Sequence, residues 1–288
     1  MAPVEDISDE EGGGVRSRFL RAGLLLPLGV LLLLSCGNRA DQGKSPRRPD
    51  FECPAYAAEG LEVSCVTTGQ TTYVVLRVDL RAALVKVLWK NAAGVPYGSL
   101  EEAYRQTGGD LLALTNAGIY SASRAPEGLH VEGGSTLSPL NLNVGDGNFY
   151  WRPNGVFYVG DGGAGIIESE KFNSPGGPAG VREATQSGPL LVIGGEVNQS
   201  LKPDSRSLYV RNGVGMKSPD EVYVVASVGE ANLYDFASVF KERLHCRDAL
   251  YLDGCVSQMY LPARGVYIPG RRQCDKELVG LLGVMKRK

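Results

Sequence analysis

The side chains in this sequence that are typed and spaced for chemistry sit mostly at the ends of apolar runs. Asp253, followed by Gly254, closes the short run Ala249-Leu250-Tyr251-Leu252, and Asn116 closes Leu111 to Leu114 after Thr115. A carboxylate so placed can act as a nucleophile or as a general base for water, and a carboxamide can donate to a hydroxyl or an anionic oxygen. Asp-Gly also ends many strands as a simple turn, so a structural role stands beside the chemical one. Gln186-Ser187-Gly188-Pro189 sets two polar side chains ahead of a Gly-Pro bend, either to hydrogen-bond a ligand or to pin the bend through a buried network. Asp161 and Glu168 are candidate second carboxylates, between which the sequence does not choose. Asn148 with Phe149, Tyr150 and Trp151 offers a stacking surface, though alternating aromatics more often pack a hairpin core.

Other chemistries find little here. Only two histidines are present, His130 and His245, and no Cys-x-x-Cys occurs, so a zinc site has no ligand set. A Ser-His-Asp triad would need one of those histidines, and neither stands in a recognisable setting. His130 reads as incidental, and His245 as a helix C-terminal residue beside Cys246. Gly162 to Gly165 lacks the lysine and hydroxyl of a phosphate loop and reads as a turn. No cofactor is implied. Calcium held by Asp and Asn oxygens stays open, without EF-hand spacing to support it. Net charge is −2, from 30 basic and 32 acidic residues, and the first 35 residues carry three and five of these. The remainder is balanced, with no field to gather nucleic acid.

Arg16, Arg18 and Arg21 precede an apolar run from Ala22 to Cys36, too short to span a bilayer and right for a signal peptide. Leu33-Leu34-Ser35-Cys36 resembles a bacterial lipobox, which predicts lipidation of Cys36 and a membrane partner through that lipid. Residues 1–36 are then an extension plus signal, 37–50 a flexible polar tether with Pro46 and Pro49, and 51–288 the functional domain. The compartment is the bacterial cell envelope, periplasmic or facing the outer membrane. With Cys36 lipidated, five cysteines remain in a setting that permits disulfides. Cys53 and Cys65 flank a short loop and form the most plausible pair. Cys255 with Cys274 is a weaker one.

The elements that must position these groups are mostly strands. Residues 61–66, 72–79 and 83–90 are rich in β-branched and aromatic side chains and predict a meander. Ser99 to Glu102 is a capping box that starts a short helix. Trp151 to Gly155 predicts a hairpin turned by Asn154-Gly155, and Pro189 to Val197 another turned by Gly194-Gly195. Leu233, Phe236, Ala237, Phe240 and Leu244 make one apolar stripe of a helix after Asn232. Glycine at 38 residues and proline at 16 add turns. The fold class expected is α+β, a single sheet-rich mixed domain with a few flanking helices.

An ordered set of short motifs runs through roughly residues 70–262. These are Asn116-Ala-Gly118, Gly128-Leu129 with Val131, Pro139-Leu-Asn141, Gly147-Asn-Phe149, Pro153-Asn-Gly-Val156, Gln186-Ser-Gly-Pro189, Arg211-Asn-Gly-Val-Gly215 and Leu252-Asp-Gly254. Together they resemble the phosphodiester glycosidase family, relatives of the lysosomal uncovering enzyme. The form is closer to a bacterial branch, since Asp253-Gly-Cys-Val-Ser257 replaces the glycine run of the animal enzymes.

The resemblance implies hydrolysis of a sugar C1–O–P linkage. That reaction passes an oxocarbenium-like state served by carboxylates. Its leaving group is already anionic, so a cation to hold the phosphate matters more than a strong acid, and arginine suits a two-point grip. Arg211 and Asp253 are the expected catalytic pair, and Asn116, Gln186, Ser187, Gly188 and Gly254 the expected substrate-binding residues. The substrate is a sugar phosphodiester or a glycan polymer. The competing expectation is a non-catalytic envelope lipoprotein that binds glycan or protein on the same scaffold, which Cys255 inside the motif favours.

Overall fold

In the computed structural model, residues 51–254, 256–268 and 277–287 are described. Cys36, the expected signal and tether, Cys255 and Cys274 lie outside them. Cys53 and Cys65 form a disulfide, as expected.

Three antiparallel sheets carry the chain. The largest runs Tyr56–Ala58, Leu61–Thr68, Thr71–Asp79, Glu221–Ser227, Asn212–Ser218, Asp248–Asp253, Leu190–Ile193, Glu196–Val197. A second runs Ser135–Ser138, His130–Glu132, Val181–Ser187, Gly155–Gly160, Gly163–Glu168, and a third Val266–Ile268, Met259–Leu261, Leu111–Asn116, Leu281–Lys286, Ala83–Leu88. One core lies among the three, where Val74, Leu76, Val224 and Leu250 of the large sheet meet Phe157 and Ile166 of the second and Val85, Met259 and Leu282 of the third. The opposite face of the large sheet, through Tyr73, Val75, Val225 and Tyr251, packs on Leu233, Phe236, Phe240 and Leu244. Its central strands are therefore covered on both faces, which is why Val222 to Ala226 is continuously apolar rather than alternating. The sheet-rich reading holds, but the helices are few and short and the domain is mostly β.

The predicted helix forms, capped by the Asn232 carboxamide oxygen accepting the Asp235 amide at 2.8 Å. It spans Leu233–Ser238 and continues as one π-helical turn, Val239–Arg243. The whole predicted stripe is buried. His245 follows with φ +53°. Gly194 and Gly195 take φ +58° and +85° and turn the predicted hairpin.

Three expectations are corrected. The meander stops after two strands: Ala83–Leu88 pairs with Leu281–Lys286, while Glu221–Ser227 takes the free edge of Thr71–Asp79. Thr71–Asp79 needs a partner buried on both faces, and Ala83–Leu88, which alternates, is not one. The Asn154-Gly155 hairpin is absent. Asn148–Tyr150 is a 3-10 turn, and Gly155 opens a strand where a Cβ would meet Leu190 Cδ2 at 2.6 Å, so close packing explains that glycine. The capping box forms by half: Ser99 Oγ accepts the Glu102 amide at 3.1 Å, but the Glu102 carboxylate binds Arg105.

Candidate active-site cleft

Arg211 stands immediately before the strand Asn212–Ser218, and consecutive side chains there serve opposite faces. Gly213 and Gly215 lie under the helix, where a Cβ would come within 3.0 Å of Phe236 Cε1 and 2.5 Å of Phe240 Cδ1 respectively. Arg211, two residues earlier, extends past the helix to the sheet's end. Its side chain is 1% exposed. Nε donates to Ala231 O at 3.0 Å, Nη1 to Tyr251 Oη at 2.8 Å, and Nη2 to Ser207 O at 2.8 Å. The guanidinium carbon lies 5.2 and 5.3 Å from the ring centroids of Tyr209 and Tyr251. Among the described residues no carboxylate forms an ion pair with this cation. Burying a charge held only by neutral oxygens and aromatic faces is costly, and an anion arriving in the cleft offsets that cost.

Asp253 ends the adjacent strand, Asp248–Asp253. Its Oδ1 accepts the Gly254 amide at 2.6 Å, and its Oδ2 lies 3.5 Å from Asn116 Nδ2. Arg211, Asp253 and Gly254 all line one cleft of about 670 Å³, with Tyr209, Tyr251 and Ser207 beside the arginine and Glu127, Asp146 and Tyr150 along another wall. At Gly254 a Cβ would collide with the Tyr251 hydroxyl that carries Arg211 Nη1. Burial raises the Tyr251 phenol's pKa, partly opposed by the Arg211 charge, so the hydroxyl stays protonated.

Asn116 does not line this cleft. It is 2% exposed and holds the floor, its Oδ1 accepting the Gln258 amide at 2.9 Å and Asn212 Nδ2 at 3.1 Å. Asn212 is the hub that sequence reasoning passed over. Its Nδ2 donates to Asn116 O at 2.6 Å and Thr115 Oγ1 at 2.7 Å, and its Oδ1 accepts from the Asp253 amide at 3.0 Å and Ser257 Oγ at 3.1 Å. The signal was present, because Asn212 lies inside the Arg211-to-Gly215 motif.

Gln186, Ser187 and Gly188 correct the expectation that they face a ligand. Gln186 is 1% exposed and fully engaged: Oε1 accepts the amides of Leu129 and Asn141 at 3.0 and 2.9 Å, and Nε2 donates to Asn141 O at 2.6 Å. Ser187 Oγ donates to Leu252 O at 2.9 Å. Gly188 admits the backbone of Asn148 and Phe149, whose oxygens would each lie 3.0 Å from a Cβ. These three build the cleft wall from behind.

Neither expected second carboxylate reaches the cleft. Asp161 pairs with Arg182 at a hairpin turn and Glu168 with Lys171. Glu127 does line it and accepts the Tyr150 hydroxyl, a bond that raises that phenol's pKa and keeps it a donor. Glu127 stands directly before the Gly128-Leu129 motif, which was the available clue. His130 is buried against Glu132, 2.7 Å from its Oε1, with Trp89 edge-on. Among the described residues no cluster of His, Cys, Asp and Glu could hold a metal.

The family model for phosphodiester glycosidases matches residues 110–277. The chain is 36% identical over 220 residues to the uncharacterised protein YigE of Escherichia coli, covering 76% of this chain and 84% of that one. It is also similar to the catalytic domain of zebrafish N-acetylglucosamine-1-phosphodiester alpha-N-acetylglucosaminidase, solved in a form auto-inhibited by its pro-peptide. The TM-score is 0.55 at 16% identity, over 80% of this chain and 83% of that one. At that identity the likeness is one of fold. With a buried arginine and a strand-end aspartate on one cleft, and a family match spanning both, the chain belongs to the phosphodiester glycosidase family.

Proposed function

We propose that this protein hydrolyses glycosyl-1-phosphodiesters in the bacterial cell envelope. The observation that carries the reading is the Arg211 guanidinium, buried, held by neutral oxygens and facing the same cleft as Asp253. Arg211 Nη1 spends one bond on the protein and keeps a donor for a phosphate oxygen, while Nη2 donates to Ser207 O at 2.8 Å and to Ser207 Oγ at 3.4 Å. Asp253 serves the anomeric carbon, as nucleophile or as base for water. The C1–O bond breaks, the phosphomonoester leaves with the bonding electron pair, and the water oxygen ends on C1. Glu127, with the Tyr150 phenol, is the second carboxylate along the sugar. Asn116 and Asn212 are positioning residues, because they act through Asp253 rather than on substrate.

The test is product analysis on methyl N-acetylglucosamine 1-phosphate. The wild type releases free sugar and methyl phosphate, Asp253→Asn folds but loses turnover, and Arg211→Lys folds with turnover sharply reduced. Saturable sugar-phosphate binding with no product after long incubation supports a non-catalytic glycan binder instead.

The location is a separate part of the proposal. Cys36, at the end of the lipobox-like segment, carries the lipid that tethers the domain to a membrane. Metabolic palmitate labelling checks this: label is expected on the wild type and none on Cys36→Ser, and label persisting on that variant defeats the assignment.

A further inference from the structure

Large apolar side chains left in water are unevenly placed on this protein. Of the eight that stand exposed among the described residues, five border the mouth of the cleft: Leu142, Val144, Trp151, Leu208 and Tyr209. They come from two segments. Asp146 to Tyr150 of the first and Ser207 and Tyr209 of the second line the same cleft, so the two segments meet at one rim. Single exposed leucines are ordinary, but an apolar rim of this kind marks a docking surface.

Bonds behind the rim hold it in place. Arg152 Nη2 donates to Leu142 O at 2.6 Å. Tyr209 and Ala231 exchange both backbone bonds, at 3.3 and 2.8 Å, which fixes Leu208 and Tyr209 at the surface. Val144 is 91% exposed.

The composition of the rim selects its occupant. Leu142, Val144 and Leu208 project aliphatic groups that suit a fluid apolar phase. Trp151 and Tyr209 belong to the two residue types that favour the boundary between acyl chains and headgroups, and exposed Lys202 and Arg206 suit lipid phosphates beside them. Length also allows the approach. Residues 37–50 separate Cys36 from Phe51, and that much chain spans at most about 50 Å.

We propose that this rim docks on a phospholipid bilayer, with Val144 and its apolar neighbours entering the headgroup–acyl boundary and the cleft mouth opening on the headgroup layer. The proposal rests on the lipid-anchor reading for reach alone. The anchor keeps the chain at the membrane, and the rim sets which face is presented to it.

The test uses the full chain reconstituted on vesicles of phosphatidylethanolamine and phosphatidylglycerol with brominated acyl chains, which quench tryptophan on contact. The chain has two tryptophans, and Trp89 is 9% exposed and packed against His130, so Trp151 reports the rim. Wild-type emission is expected to fall relative to unbrominated vesicles, and Trp151→Phe to lose that fall. A double variant, Leu142→Asp with Val144→Asp, changes two exposed positions and should lose it too while still sedimenting with the vesicles. Unquenched wild type overturns the proposal, as does quenching that persists in the aspartate variant. A second copy on the rim would instead double the vesicle-free mass with rising concentration, an effect lost in the aspartate variant, and that also overturns it. If Cys36 carries no lipid, the anchor reading falls, and quenching of protein added to the vesicles still decides the rim.

Discussion

Asn212 faces Asp253 across the ladder between their strands, and its carboxamide oxygen accepts the Asp253 amide at 3.0 Å while its nitrogen donates to Asn116 O at 2.6 Å. One side chain thus ties the end of the large sheet to the end of the third sheet, beneath the cleft. Because every partner is buried or half-buried, removing it strands several backbone and hydroxyl groups at once. Asn212→Ala is expected to lower stability by about 2–4 kcal/mol and to reduce turnover with little change in KM. Urea unfolding and steady-state kinetics check both; a stable variant with wild-type kcat would remove Asn212 from the positioning of Asp253.

Arg211→Lys keeps a charge but loses the planar fork that reaches Ala231, Tyr251 and Ser207 together. The expected result is a folded protein with a lower thermal midpoint and a kcat/KM reduced by about 100-fold, comparable to losing a donor to developing charge. If the lysine variant turns over like the wild type, the planar guanidinium is not needed to hold the phosphate.

Two glycines separate packing from chemistry. At Gly215 a Cβ would come within 2.5 Å of Phe240 Cδ1 and 2.8 Å of Cys246 Sγ, so Gly215→Ala overpacks the helix against the sheet. It should cost about 1–3 kcal/mol of stability and spare kcat. At Gly254 the Cβ meets the Tyr251 hydroxyl, so Gly254→Ala displaces Arg211's partner and should reduce kcat by about 100-fold. Equal effects of the two variants on activity would contradict this division.

The division also shows what the sequence can and cannot carry. The Arg211-to-Gly215 motif is visible as text, but its meaning depends on period-two alternation, which sends Arg211 to the cleft, Asn212 to the inter-sheet hub and both glycines beneath the helix. Strand and helix positions were readable because β-branched runs and an apolar stripe are local patterns. Strand order was not, since the choice of Glu221–Ser227 over Ala83–Leu88 as partner follows from two-sided burial that only the assembled sheets define. Gln186 misled for the same reason. A glutamine before a Gly-Pro bend looks alike whether it meets ligand or, as here, the Asn141 backbone. Tyr251 was hidden in the opposite way, as one aromatic residue inside a run that reads as core.

Stability should fall at alkaline pH. Burial pushes the pKa of Tyr73 and of Tyr223 from 10.0 to about 12, and that of the Cys246 thiol from 9.0 to about 12. Each is neutral when protonated, and the unfolded chain ionises first. Their contribution is therefore complete below pH 9 and is lost as pH rises towards 12. Urea midpoints measured at pH 8 and pH 11 should differ in that direction, and Cys246 should resist thiol reagents at pH 8 until the protein is unfolded. A midpoint that rises with pH over this interval would contradict the burial of these groups.

The central claim is that water attacks the anomeric carbon while Arg211 holds the departing phosphate. Hydrolysis of methyl N-acetylglucosamine 1-phosphate in ¹⁸O-labelled water, followed by mass spectrometry of both products, tests it directly. The account predicts the label on the sugar and none on methyl phosphate, with no labelled product from Asp253→Asn. Label on the phosphate, which means cleavage of the P–O bond, would contradict it, as would undiminished labelling of the sugar in that variant.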